Sequence, residues 1–397
     1  MKVFLSLPGH KIHSRPRRSA ATRAWLPALF ITLLMLAGCD PLPDDEAAWV
    51  LEDLGAGVGP SSLKERAPDP ARLPVDYQVQ GRSHQGDLYR PGEPPLAGIV
   101  LVPGVAARGK DDPRLVAFAT TLARARFLVL VPDIPNLRAL RARAEDAQNV
   151  VDAFSYLLSR PEFPTRGRVG IGAFSYAVGP AVLAALDPGI RERVDFVLGI
   201  GGYYDLHQVV TFFTTGYFKK EGQWHYLEPN RYGKWMFVFG NAEHLTDPVD
   251  QAAFRRMAER KLENPRAGVD DLTRHLTPEG ESLLDLLENR DPARSPELLA
   301  RLSSRIRAEL DALNLATRDL SVLEARLILL HGTDDSIIPY SESQALAAAM
   351  PPGRSELFLI DGLAHVDAQP FGLDRRAMWR AIGSLLAQRK QSGEGRQ

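Results

Sequence analysis

Apolar residues along this chain fall into two alternating kinds of run. The first kind is short and continuous: Ala97–Val102, Phe127–Val131, Gly167–Gly172, Val194–Ile200, Ala325–Leu330 and Ser355–Ile360. Runs of that length, rich in Val, Ile and Leu and closed by Gly or Pro, predict buried strands. The second kind is longer and periodic. In Pro113–Arg126, Leu115, Phe118 and Leu122 fall on one helical face, and Asn149–Leu158, Val178–Leu186, Ser341–Met350 and Arg375–Arg389 also read as helices. Ahead of these, Val75–Gln80 and His84–Tyr89 predict two antiparallel strands joined by Gly81-Arg82-Ser83.

Strands alternating with helices imply an α/β fold, a mostly parallel sheet with helices on both faces. Right-handed crossovers bring the carboxyl ends of the parallel strands to one edge, where such sheets bind ligands. The alternation stops near Asp205 and returns near Leu320. The first part of this stretch is aromatic (Phe212, Phe213, Tyr217, Phe218, Trp224, Trp235), and Pro248–Leu313 reads as charged amphipathic helix. One sheet interrupted by a mainly helical cap accounts for this better than two domains. The expected division is therefore a core of residues 75–204 and 321–397 with a cap of 205–320.

Charge is unevenly spread. The chain carries −1 overall, but residues 1–38 hold six basic residues and no acidic one. The remaining 42 basic residues face 49 acidic ones, giving −7. That balance offers no electrostatic reason to expect a nucleic-acid partner. An apolar run, Ala24–Ala37, follows the basic stretch; it is shorter than the roughly 20 residues that span a bilayer. Its position is that of a secretory signal. Leu36-Ala37-Gly38-Cys39 then resembles the lipobox of bacterial lipoproteins, which implies cleavage after residue 38 and a lipid on Cys39 as the membrane partner. Asp40 resembles the inner-membrane retention signal of enterobacterial lipoproteins, so the expected location is the periplasmic face of that membrane. Cys39 is the only cysteine, so no intramolecular disulfide can form. Residues 39–74, rich in Pro, Gly, Asp and Ala, read as a tether, in which one short amphipathic stretch near Ala47–Leu54 allows a helix packed on the domain.

Three segments carry candidate chemistry. Ser175, in Ala173-Phe174-Ser175-Tyr176-Ala177, lies between an expected strand and an expected helix, which sets it on the carboxyl edge of the sheet. A plain helix N-cap serine is the simpler reading. His331-Gly332-Thr333-Asp334-Asp335 follows another strand, and Asp361-Gly362-Leu363-Ala364-His365 follows the last. Together these segments resemble the α/β-hydrolase superfamily, over about residues 71–204 and 321–390, with a general look of its dienelactone-hydrolase-like and prolyl-oligopeptidase-like members. The resemblance implies Ser175 as nucleophile, Asp335 as acid and His365 as base, in the family's Ser…Asp…His order. Asp334 and Asp205 are alternative acids, and His331 reads as structural. The family's G-x-S-x-G has alanine at both glycine positions here, with Gly172 and Gly179 close by to relieve crowding.

The resemblance further implies an oxyanion hole from the backbone N–H groups of Tyr176 and Val105. Arg108, Lys110, Asp111 and Asp112 follow that loop as substrate contacts or, more simply, as a solvated helix start. The histidines show neither H-E-x-x-H nor a close ligand cluster, and there is no glycine-rich phosphate loop, so neither a metal nor a cofactor is expected. The implied activity is cleavage of small-molecule carboxylic esters through an acyl-enzyme. A peptidase of small peptides is the enzymatic alternative. A non-catalytic envelope binding protein is the other, favoured by the two alanines.

Overall fold

A sheet of eight strands, buried at its centre, organises the chain, in the order β1-β2-β4-β3-β5-β6-β9-β10. The computed structural model describes residues 45–365, 367–368 and 373–390. The leader-like segment and Cys39 lie outside them. The first two strands, β1 (Ala71–Val79) and β2 (Arg82–Arg90), pair antiparallel from Ala71↔Arg90 to Val79↔Arg82. Their turn is Gln80-Gly81, one residue earlier than the sequence pattern placed it. Both turn residues have positive φ, 50° and 80°, the geometry whose twist suits a two-residue hairpin.

The next four strands are β3 (Ala97–Val102), β4 (Phe127–Pro132), β5 (Arg168–Phe174) and β6 (Phe196–Ile200). Late in the chain β9 (Arg326–Gly332) and β10 (Ser355–Ile360) complete the sheet. All six run parallel, and β2 joins β4 antiparallel. The pleat sends successive side chains to opposite faces, so a strand buried on both sides must be apolar throughout. In β3, Val100 and Val102 enter one core cluster while Ile99 and Leu101 enter the other.

Helices cover both faces. α1 (Glu46–Ala56), α2 (Ser62–Arg66) and α3 (Pro113–Arg124) pack on one, with the final helix α14 (Arg375–Ala387). Here the amphipathic stretch near Ala47–Leu54 forms a helix packed on the domain. Asp45 caps α1 by accepting from the Ala48 N–H at 3.0 Å, and Ala47, Val50 and Leu51 are buried. Buried Asp53 accepts from Ser61 and Thr121 hydroxyls, both at 2.6 Å, which ties α1 to α2 and α3. Chain that looks like linker by its glycines and prolines is thus part of the domain from residue 45.

The other face carries α4 (Pro135–Arg138), α5 (Asp146–Leu158), α6 (Val178–Ala185) and, after β9, α13 (Ser341–Ala349). Between β6 and β9 the chain forms α7 (Leu206–Thr215), α8 (Arg231–Asn241), α9 (Pro248–Glu263), α10 (Pro278–Glu288), α11 (Ser295–Ala300) and α12 (Ser304–Leu313). A hairpin, β7 (Tyr217–Lys220) with β8 (Gln223–Tyr226), interrupts these helices. Of the aromatic residues of the insertion, Phe212, Phe213, Phe218, Trp235 and Phe254 are buried, whereas Trp224, Tyr226 and Tyr232 are exposed. The start of α8 rests on the loop after β9, where the Asn230 N–H donates to the Ser336 carbonyl at 2.7 Å.

Candidate active site

Strand β5 ends at Phe174, and the chain then reverses into a 3₁₀ turn, Ser175–Ala177, that leads into α6. Ser175 carries the reversal with φ of 56°, a left-handed conformation that costs an L-residue roughly 1–2 kcal/mol. Strain of this sort persists only where the surroundings over-determine it. Ala173 and Ala177, in place of the glycines usual around such a serine, are almost wholly buried and belong to one core cluster. The space at Gly179 is taken by Tyr203, whose hydroxyl would lie 1.8 Å from an added Cβ. Ser175 is not the capping residue of either the 3₁₀ turn or α6, whose N-cap positions are Phe174 and Ala177.

Its hydroxyl meets a histidine instead. The Ser175 Oγ lies 2.8 Å from Nε2 of His365, and His365 Nδ1 lies 2.7 Å from Oδ2 of Asp335. A carboxylate only accepts, so Nδ1 carries the hydrogen and Nε2 is left to accept from the serine. His365 follows the turn after β10 and also has positive φ, 55°. Its loop crosses β9 so closely that a Cβ on Gly332 would sit 1.5 Å from the Leu363 carbonyl oxygen. Only glycine allows that crossing.

Asp335 is fully buried. Its Oδ1 accepts the N–H groups of Ile337 and Ile338 at 2.8 and 3.0 Å. Burial works to raise its carboxyl, but hydrogen bonds from His331 and His365 outweigh it and hold the group well below the usual carboxylate range. His331, also buried, brings Nε2 within 3.3 Å of Asp335 Oδ2 and 2.9 Å of the Ile338 carbonyl. Since both partners only accept, Nε2 is the protonated nitrogen, and Nδ1 accepts from the Ser343 hydroxyl at 2.7 Å. The sequence reading of His331 as structural misses this direct hold on Asp335.

The other candidate acids lie elsewhere. Asp334 is exposed. Asp205 caps α7 through the His207 N–H at 3.0 Å and accepts from the Asn314 amide at 3.1 Å. The loop after β3 lies against the end of β5, where a Cβ on Gly104 would be 3.8 Å from Phe174. Among the described residues, no protein group accepts from the N–H of Val105 or of Tyr176. Farther along the loop, Lys110 is 3.0 Å from buried Asp87, Arg72 bridges Asp87 and Asp111, and Asp112 caps α3. Those charges hold the loop to the sheet; Arg108 is exposed.

No family model matches this chain, and no curated protein does. Solved structures do match. A protein of Legionella pneumophila subsp. pneumophila superposes with a TM-score of 0.53 at 14% identity, over 82% of this chain and 90% of its own. The alpha/beta hydrolase GrgF from Penicillium sp. sh18 gives 0.50 at 14%, over 80% and 99%. The rice cell wall degrading esterase LipA from Xanthomonas oryzae gives 0.50 at 15%, over 80% and 88%. At such identities the likeness is one of fold. With its mostly parallel sheet, its helices on both faces and these structural relatives, the chain has the fold of the α/β-hydrolase superfamily.

Proposed function

We propose that this protein is a serine hydrolase that cleaves carboxylic esters through an acyl-enzyme. One observation carries the reading: the unbroken relay from the Ser175 hydroxyl through the His365 imidazole to the Asp335 carboxylate. A serine hydroxyl is a weak nucleophile until a base takes its proton. In the proposed first step His365 Nε2 takes that proton while Oγ bonds to the ester carbonyl carbon. The imidazolium is stabilised by buried Asp335, whose low pKa keeps it ionised across the neutral range. The tetrahedral oxyanion would be met by the N–H groups of Tyr176 and Val105, each such donor being worth roughly 3–4 kcal/mol. The carbon–oxygen bond to the alcohol then breaks, and Nε2 returns the proton to the leaving oxygen. Water repeats the sequence on the acyl-serine, giving the acid and free enzyme.

An ester is put ahead of an amide because an alcohol leaves more readily than an amine, and LipA, of similar fold, is an esterase. Steady-state rates on p-nitrophenyl acetate, butyrate and decanoate, set beside an aminoacyl anilide, test the choice. Ester turnover at least about a hundredfold above anilide turnover fits the reading. Comparable rates would replace it with the peptidase reading, and turnover of neither, by folded protein, would favour a binding protein.

We also propose that Cys39 is the lipidated residue of an exported, membrane-anchored form. Metabolic labelling with an alkyne fatty acid should tag the wild-type chain and leave Cys39→Ser untagged. Equal labelling of both would remove the anchor.

A further inference from the structure

Beneath the relay lies a buried carboxyl that the reaction does not use. Glu342, in the first turn of α13, is only 4% exposed. One of its oxygens, Oε2, accepts two backbone N–H groups, from Tyr204 at 3.0 Å and Asp205 at 2.7 Å. Both belong to the loop that leaves β6. That loop starts at Gly201, which has φ of 62° and sits against the relay itself. A Cβ placed on Gly201 would lie 3.5 Å from Asp335 Oδ2, from His365 Nδ1 and from the His365 carbonyl. The same loop sends Tyr203 under Gly179, donates from the Tyr203 hydroxyl to the Leu313 carbonyl at 3.0 Å, and sets the Tyr203 ring beside that of Tyr176, with centroids 6.0 Å apart and planes tilted by 47°.

We propose that Glu342 is a positioning residue: by gripping the Tyr204 and Asp205 N–H groups it holds the Gly201–Asp205 loop against the Asp335–His365 pair. This rests on the proposed role of that pair. Several observations fit it. The glutamate comes seven residues after Asp335 in chain order, so one loop and one helix start supply both the acid and the anchor of the wall beside it. Burial, with Asp205 alongside, raises the Glu342 carboxyl to about 7 despite the two N–H donors. The Tyr176 phenol is buried with no hydrogen-bond partner, and Asp335 and Glu342 add to burial in raising its pKa; further ties on the loop run from the Gly201 N–H to the Leu330 carbonyl at 2.8 Å and from the Ala316 N–H to the Tyr204 carbonyl at 3.1 Å.

The test uses the full-length protein, a fluorophosphonate probe and p-nitrophenyl butyrate. Glu342→Gln keeps an oxygen acceptor, whereas Glu342→Ala leaves both N–H groups without one. Expected for Glu342→Ala is a fall in kcat and in labelling rate of about ten- to a hundredfold, as for a small misplacement of reacting groups, with KM little changed. Its pH–rate profile should also move on the acidic limb, while Glu342→Gln stays within about threefold of wild type. Wild-type kcat, labelling rate and pH profile in a folded Glu342→Ala protein overturn the proposal. Should that variant not fold, Glu342→Asp decides: its shorter side chain cannot keep both contacts, so it must be slower than Glu342→Gln, and equal rates overturn the proposal. Failure of the wild-type protein itself to label would instead remove the triad reading on which the proposal stands.

Discussion

Ser175 and His365 are 190 positions apart in the chain, yet their side chains lie 2.8 Å apart and their backbones share one conformation, with φ of 56° and 55°. Non-glycine residues rarely adopt positive φ, and in this fold the two that form the central hydrogen bond both do. The strain marks the tips of two tight turns that lift the side chains off the sheet edge toward each other.

That strain gives a stability prediction. At an ordinary site glycine is less stable than alanine by roughly 0.5–1 kcal/mol. At position 175 the order should vanish or invert, because alanine keeps the left-handed penalty and glycine does not. Urea denaturation of Ser175→Gly and Ser175→Ala measures it. A glycine variant weaker by the ordinary amount would mean that the turn is relaxed.

His365→Ala should lower kcat/KM for an activated ester at least roughly a hundredfold, the usual contribution of a positioned general base. The relay depends on Nε2, so added imidazole should restore part of the rate. A near-wild-type rate without imidazole would take the base role from His365.

Asp335 predicts a pH dependence of stability. Its folded pKa lies below the ordinary 3.8, so its contribution is present above that value and fades as pH falls through the folded one. The stability advantage of wild type over Asp335→Asn should therefore be largest at pH 6–7 and shrink below about pH 4. Glu342 has the opposite sign. Its carboxyl is raised from 4.5 to about 7, so its contribution is fullest below about 4.5 and is lost as pH rises toward 7. Glu342→Gln should thus gain on wild type between pH 5 and pH 8, as read by urea melts. A pH-independent difference in either pair would contradict the assigned shift.

Gly332→Ala should destabilise the protein by about 1–3 kcal/mol or more, because the new Cβ would collide with backbone rather than a movable side chain. The displaced segment carries His365, so ester turnover should fall as well. Unchanged stability would mean that the crossing of the two loops is looser than described.

The sheet can be read from the sequence because fully buried strands have no polar alternation and stand out as apolar runs: Ala97–Val102 has the same bounds in the sequence pattern and in the structure. Ser175, Asp335 and His365 could be read because each follows such a run, and their order along the chain is that of a known superfamily. Two features could not. The hairpin Tyr217–Tyr226 lies mostly on the surface, so its side chains lack the apolar alternation of a half-buried strand. Glu342 opens a helix as one acidic residue among many; only the burial of its carboxyl against the Tyr204 and Asp205 N–H groups distinguishes it.

The central claim is that the hydroxyl of Ser175 is a nucleophile activated by its neighbours. A fluorophosphonate transfers its phosphonyl group to such an oxygen and expels fluoride. Intact mass followed by peptide mapping should find one adduct per chain, on Ser175, and none on the folded Ser175→Ala protein. A folded wild-type protein that remains unmodified, or that carries the adduct on another residue, would contradict the account.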